Sequence, residues 1–327
     1  MYPLPLYTTF ILVYNIDIFF RRDINSMNNK IVIIGCGNVG ASYAYGLVNQ
    51  KTSADELVLI DADEDKPRGL ALDLSHCIAY SNATLTVRVG SYQDCEDANI
   101  VCITAGTSQT LASRTAATKE NARIIKDIIS KIMRANFKGI LLIASNPLDV
   151  MCYAAWKYSK LPPHRIIGSG TSLDTARLRS ILANTLQISP KRINANVLGE
   201  HGDTQFVAWS SAKVNNTLIY DYLKQKDLDH IEDMVRKAGY EIVKYQGYTC
   251  YGIAMCLTKI TEAILEDTLC TMPVSCFDEK NQIFISSPAM ISKDGIIESM
   301  RTELNTIEKT KYQNSVKFIK EVIAQID

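Results

Sequence analysis

One of the four histidines in this chain stands in a setting unlike the others. His201 lies in Gly199-Glu200-His201-Gly202-Asp203, between glycines in an irregular turn. Imidazole titrates near neutral pH, so it can give a proton in one direction of a reaction and take it back in the other. His76 follows a helical stretch, His164 follows Pro162-Pro163 and His230 sits in a charged run, and all three read as solvated structural residues. Leu173-Asp174-Thr175-Ala176-Arg177 opens a helical stretch, which puts Asp174 and Arg177 on one helix face. Asp174 can hold an imidazole in one tautomer and stabilise its protonated form. Arg177 carries the two-pronged fork suited to a carboxylate. Alone, the pair reads as a helix-surface salt bridge more readily than as a site. Ser145-Asn146-Pro147 follows an apolar run, where the ligand crevice of an α/β sheet would lie. Arg114, in the polar segment 107–118, could close over a ligand and polarise a carbonyl, or be an ordinary solvated loop charge. As a set, these residues meet the three demands of hydride transfer to a 2-keto acid: hold the carboxylate, polarise the ketone, and protonate the new alkoxide.

A nucleotide site is written near the start. Gly35-Cys36-Gly37-Asn38-Val39-Gly40 follows the apolar run Lys30–Ile34 and precedes a helical stretch. The first glycine permits a tight turn, the second lets backbone approach a pyrophosphate, and the third allows close helix–strand contact. Asp61 ends the next apolar run, where an acidic side chain accepts from a ribose diol and repels a 2′-phosphate, favouring NAD. Another dinucleotide, or S-adenosylmethionine on a similar fold, stays open on these residues alone.

These groups need a scaffold, and the patterning supplies one. Apolar β-branched runs at 30–35, 57–60, 100–104 and 139–144 read as buried parallel strands, with an alternating strand at 84–89. Helical stretches at 41–49, 68–77 and 119–135 separate them; in the last, Ile124, Ile125, Ile128, Ile129 and Ile132 mark an amphipathic helix. This predicts a doubly wound α/β unit over 27–167. Beyond Gly168 the helical stretches 173–186, 230–266 (with breaks) and 303–326 dominate, and the strand candidates 196–198 and 282–286 are short and isolated. That suits a second, α+β domain over 168–327, packed closely enough to leave a cleft.

Composition narrows the partners. Lys plus Arg and Asp plus Glu each number 35, so nothing argues for nucleic acid or an anionic membrane. The nine cysteines form no Cys-x-x-Cys pair; no metal site is expected, and the thiols suit a reducing cytoplasm. Residues 1–26 hold an apolar stretch, Pro3–Phe20, interrupted by Asn15 and Asp17. They read as an extension outside the fold, with Met27 as the natural start; a packing arm and a membrane anchor are the alternatives.

The motifs together resemble the L-lactate/L-malate dehydrogenase family, and within it the L-lactate dehydrogenases. The matching pieces are Gly35–Gly40, Leu59-Ile60-Asp61, Ile103-Thr104-Ala105-Gly106, Ser145–Asp149, Gly168–Arg177, Gly199–Asp203 and Tyr248-Thr249, in family order. The resemblance implies that His201 is the proton donor and acceptor, with Asp174 its partner. It implies that Arg177 binds the substrate carboxylate, Arg114 on a mobile loop polarises the ketone, Asn146 assists at the carbonyl and Thr249 shapes the side-chain pocket. Asp61 would hold the adenosine ribose of NAD. Gly35, Gly37, Asn38, Val39, Gly40, Thr104, Ala105, Gly106, Asn121, Ser145 and Asn146 would line the rest of the cofactor site. A homotetramer or dimer in glycolytic pyruvate fermentation is implied as well. Gln109 stands where malate-selective relatives carry Arg, so a second substrate carboxylate would be unpaired and a neutral 2-keto acid such as pyruvate is expected.

Three departures stand out. The loop Gln109-Thr110-Leu111-Ala112-Ser113-Arg114 is one residue shorter than the family's and lacks its Gly-Glu pair, leaving an L-2-hydroxyisocaproate-like or other 2-hydroxyacid dehydrogenase, malate included, or a weakly catalytic NAD-binding paralogue as alternatives. Relatives activated by fructose 1,6-bisphosphate pair an Arg, matched by Arg179, with a His where this chain has Asn194, so weak or no activation is expected. The segment 275–285 lacks the family's Gly-rich hairpin.

Overall fold

The computed structural model describes residues 28–50, 52–107, 114–300 and 302–326. The sequence readings for residues 1–26 and for Gln109 lie outside the described residues.

Six parallel strands form the first half: β1 (Lys30–Ile34), β2 (Glu56–Ile60), β3 (Thr86–Val89), β4 (Ile100–Ile103), β5 (Ile140–Ile143) and β6 (Ile166–Gly168). Their spatial order, 3-2-1-4-5-6, is the doubly wound nucleotide-binding arrangement. The helices between them are α1 (Asn38–Asn49), α2 (Asp65–Ile78), α3 (Arg114–Arg134) and α4 (Leu148–Ser159). β1, β4 and β5 are buried at every residue, which is why they read as unbroken apolar runs. Two apolar clusters cover the two faces of the sheet.

The second half holds α5 (Ser172–Leu186), α6 (Gln225–Gln246), α7 (Tyr251–Leu265) and α8 (Thr306–Ile323). Short strands β7 (Ile193–Asn194), β8 (Val197–Leu198), β9 (Phe206–Val207), β10 (Lys213–Val214) and β11 (Thr217–Leu218) form two small sheets. Three longer strands follow: β12 (Cys270–Asp278), β13 (Ile283–Ser292) and β14 (Gly295–Ser299).

Here the structure departs from the sequence reading in several places. β12 to β14 are neither short nor isolated: they add antiparallel to β6 and extend the first half's sheet to nine strands. Their buried serines, Ser275, Ser286 and Ser292, break the apolar pattern a core strand normally shows, and hydrogen bonds satisfy them. Arg114 is not a loop residue but the first residue of α3. The polar turns 114–118 contain no Gly or Pro to stop a helix, but they lack the apolar spacing that marks the rest of it. α4 escaped notice because eight of its residues are buried, including Leu148, Val150, Met151 and Ala154, so no single face carries the periodicity.

The carboxyl ends of the parallel strands share one edge. Gly35, Asp61, Thr104–Gly106, Ala144–Asn146 and Ser169 all follow a strand there. The connection reverses between β1 and β4, and a crevice for a ligand opens at that switch point.

Candidate active site

At the glycine turn, Gly35 has φ +106°, and a Cβ there would lie 2.6 Å from the Ala105 nitrogen. A Cβ on Gly40 would lie 1.9 Å from the Gly35 carbonyl oxygen, so only glycine lets α1 start this close to β1. Gly37 is different: nothing lies within 4 Å of an added Cβ, and Gly37 and Asn38 are exposed. The start of α1 has no side-chain cap and no acidic residue in its first turn. Its free N–H groups and the positive end of its dipole therefore face open space, which fits a pyrophosphate. Asp61 turns one oxygen to the Cys36 N–H at 2.5 Å and the other to the Asp63 N–H at 3.0 Å, which fixes the carboxylate at the edge of the crevice.

Several expected cofactor residues serve the crevice by holding its loops. Thr104 Oγ1 donates to the Gly35 carbonyl at 2.6 Å, and Ser145 Oγ donates to the Ala105 carbonyl at 2.6 Å. Buried Asn121 accepts from the Thr107 N–H and donates to the Asn146 carbonyl, each at 2.8 Å. These side chains join three loops into one rim. Ala105 and Gly106 form part of it, and Val39 reaches the neighbouring pocket.

That pocket, about 320 Å³, is where the chemical residues meet. Asn146, Asp174, Arg177, His201 and Thr249 all line it, with Ser169, Gln205 and Arg236. The His201 ring is held through Nδ1, 2.7 Å from Asp174 Oδ2, which leaves Nε2 as its working nitrogen. The other Asp174 oxygen accepts from Arg177 at 3.1 Å. One carboxylate, with its side chain 3% exposed, therefore aligns both the imidazole and the guanidinium. Among the described residues the buried Arg177 Nε has no hydrogen-bond partner.

The electrostatics follow from this sharing. Burial pulls the His201 imidazole toward its neutral form, but the charge and hydrogen bond of Asp174 outweigh it, and the imidazolium persists above its ordinary pH range. Burial also opposes the Asp174 anion, yet His201 and Arg177 hold its carboxyl below the usual carboxylate range. His76, His164 and His230 are exposed, and none lines the pocket.

The elements that carry these groups are pinned. The start of α5 is tied to the C-terminal strands: Thr171 N–H donates to Ser286 Oγ at 3.1 Å, and Ser172 Oγ donates to the Pro273 carbonyl at 2.9 Å. Gly199 pairs both ways with Ser286, fixing the approach to His201. Residues the sequence reading left without a role include Asp149, Ser169, Gln205 and Arg236. Arg236 reaches Glu232, whose buried carboxylate also accepts from Trp209 and Lys311. Among the described residues, buried Gln205 Oε1 and Arg236 Nε have no hydrogen-bond partner. Only the three-dimensional fold brings them to the site.

Among the described residues no cluster of metal ligands occurs, and no helix is long and apolar enough to cross a membrane. All nine thiols are free.

Comparison with known proteins yields consistent matches. The model of the lactate/malate dehydrogenase NAD binding domain matches residues 29–168, and that of the lactate/malate dehydrogenase alpha/beta C-terminal domain matches residues 171–327. L-lactate dehydrogenase 2 of Bacillus cereus is 41% identical over 309 residues, covering 91% of this chain and 98% of its own. An L-lactate dehydrogenase of Halalkalibacterium halodurans is 42% identical over 303 residues, covering 91% and 97%. Among solved structures, a lactate dehydrogenase from a Medee basin deep-sea metagenome library superposes with a TM-score of 0.90 at 42% identity, over 92% of this chain and 99% of that one. The minor L-lactate dehydrogenase of Enterococcus mundtii in its ligands-bound form gives 0.90 at 37% identity with the same coverage.

Proposed function

The chain belongs to the lactate/malate dehydrogenase family, and on that premise we propose that it is an NAD-dependent L-lactate dehydrogenase that interconverts pyruvate and L-lactate. The observation that carries the reading is Asp174, shared between His201 at 2.7 Å and Arg177 at 3.1 Å on the wall of one pocket. A proton donor and a carboxylate clamp aligned by a single buried anion suit a substrate with a carboxylate beside a reducible carbonyl.

When bound, NADH supplies the hydride. Arg177 holds the pyruvate carboxylate, and Asn146 and Arg114 support the ketone oxygen as charge builds on it. His201 donates the Nε2 proton to that oxygen, and Asp174 then holds the neutral Nδ1–H tautomer. In lactate oxidation, His201 takes the proton back. Thr249 bounds the side-chain end of the pocket. Gly37 and the start of α1 would hold the pyrophosphate, on the turn and packing that Gly35 and Gly40 permit, and Asp61 would hold the adenosine ribose.

Pyruvate is favoured over oxaloacetate because Gln109 offers no positive charge to a second carboxylate. The test is NADH oxidation with pyruvate, 2-ketoisocaproate, phenylpyruvate and oxaloacetate. Pyruvate is expected to give the highest kcat/KM; preference for 2-ketoisocaproate would overturn the lactate assignment, and no turnover with any of them would favour a binding paralogue.

The enzyme assembles as a homo-oligomer, a dimer or tetramer. Support comes from α2, α1 and α7, which pack side by side. They leave Leu72 64%, Tyr45 51%, Tyr251 69% and Met255 44% exposed on adjacent helices, apolar side chains that a second copy would cover. Light scattering that returns a monomer mass would refute this. A cytoplasmic setting suits the nine free thiols.

A further inference from the structure

We infer that Arg236 is a second substrate-binding cation, standing at the outer part of the pocket and drawing in the carboxylate that Arg177 then clamps. The inference deepens the proposed function and rests on its reading of Arg177. α6 turns one stripe to the pocket: Arg236, Gly239, Tyr240 and Val243, at i, i+3, i+4 and i+7. Gly239 brings this stripe against the clamp. A Cβ there would stand 3.4 Å from Arg177 Nη2 and 3.6 Å from Nη1. Glycine is a poor residue for a helix interior, and no positive φ calls for it here, so what it provides is the space beside Arg177. Arg236 stands one turn earlier on the same stripe.

The charges around Arg236 are divided in the pocket's favour. Arg236 pairs with Glu232 at 3.5 Å. Glu232 Oε1 lies closer to Lys311 of α8, at 2.8 Å, and its Oε2 accepts from Trp209 Nε1 at 3.0 Å. Two cations thus share one buried carboxylate, and the shorter contact goes to Lys311, which does not line the pocket. Inside the pocket Asp174 is engaged by His201 at 2.7 Å and by Arg177 at 3.1 Å, and Asp203 accepts from Tyr240 at 3.5 Å. A positive charge therefore remains on the α6 wall.

Exposure sets the order of contact. The Arg236 side chain is 35% exposed and that of Arg177 15%. A carboxylate entering the cleft meets the outer guanidinium first and the inner fork second. Arg236 takes no part in the proton transfer, so its removal weakens substrate binding and leaves the chemical step intact. A partly exposed charge about one helical turn from the ligand changes affinity by about fivefold to tenfold, and salt screens part of the effect.

The test compares Arg236→Gln and Arg236→Lys with the wild type, all as the full chain. In Arg236→Gln the KM for pyruvate is expected to rise by about fivefold to tenfold, with kcat and the NADH Kd within about twofold. Arg236→Lys, which keeps the charge, should bring KM back to within about twofold of the wild type. The Kd of oxamate, an unreactive 2-keto acid mimic, for the enzyme–NADH complex is read from NADH fluorescence and should shift by the same factor as KM. The fall of kcat/KM with added salt should be shallower in Arg236→Gln. Lys311→Gln leaves Glu232 to Arg236 from outside the pocket and should raise KM by about twofold. It carries the test if Arg236→Gln does not fold, and an unchanged KM there would then overturn the inference. A loss confined to kcat or Tm in Arg236→Gln would show a structural role and overturn it too. A wild type that binds no oxamate refutes the proposed function and this inference with it. A wild type that binds oxamate, beside an Arg236→Gln variant that binds it equally, refutes this inference alone.

Discussion

Replacing Asp174 by Asn tests how the site sets its own pH range. Asp174 touches the His201 ring at 2.7 Å from an almost fully buried position, and it is the largest influence that raises the imidazole. An opposite charge at this range shifts a pKa by about 1–3 units, and a two-unit loss corresponds to about 2.7 kcal/mol. Pyruvate reduction needs the imidazolium, so its rate is full below the His201 pKa and lost as pH rises through it. Without Asp174 that loss moves to lower pH. Above both midpoints the protonated fraction, and with it kcat/KM, falls by about 100-fold. Lactate oxidation needs neutral imidazole and should gain its rising limb at lower pH. A further loss, independent of pH, is expected because Asn can turn its amide toward Nδ1 and favour the wrong tautomer. KM for pyruvate should also rise, since Arg177 loses the anion at 3.1 Å that aligns it. The assay is kcat/KM for pyruvate at saturating NADH across about pH 5 to 9, a range that brackets ordinary imidazole titration. If the basic limb of Asp174→Asn coincides with that of the wild type, the reasoning about the shared carboxylate is refuted.

Two further predictions separate binding from folding and test regulation. Gly37→Val places its side chain in open space, so it should leave Tm nearly unchanged and weaken NADH binding by about 100-fold, measured by fluorescence titration. Gly40→Ala meets the Gly35 carbonyl at 1.9 Å and should lower Tm by about 5 °C or more; equal Tm values for the two variants would contradict the packing argument. Fructose 1,6-bisphosphate should change KM for pyruvate by less than about twofold: the Arg179 guanidinium is engaged by the Ala195 carbonyl at 3.2 Å and Asn196 Oδ1 at 3.1 Å, and neutral Asn194 adds no charge. A strong activation curve would show that these contacts give way.

The legible parts of this protein are those whose physics is local. β1, β4 and β5 are covered on both faces, so each is an unbroken apolar run that announces a buried parallel strand. The glycine turn is legible because Gly35 and Gly40 each answer a steric demand within a few residues or one strand away. Asp174 and Arg177 share a helix face whatever surrounds them, so their pairing follows from spacing. What stayed hidden depends on chain far away. Ser275 and Ser286 look like surface strand residues until Asp149 and Thr171, more than a hundred positions off, supply their partners. Asp149 sits inside a motif that the sequence displays, yet the group it holds, the His201 amide, arrives only through the fold. Arg236 and Gln205 reach the pocket by the same route.

The central claim is that His201 moves the proton in pyruvate reduction while the cofactor is held elsewhere. Its most direct test is kcat for pyruvate reduction in wild type and His201→Ala, with the NADH Kd measured on the same samples. The account predicts a wild type that turns over pyruvate, and a variant whose kcat is lower by about 100-fold or more at an NADH Kd within about twofold. Equal kcat in the two proteins would contradict it.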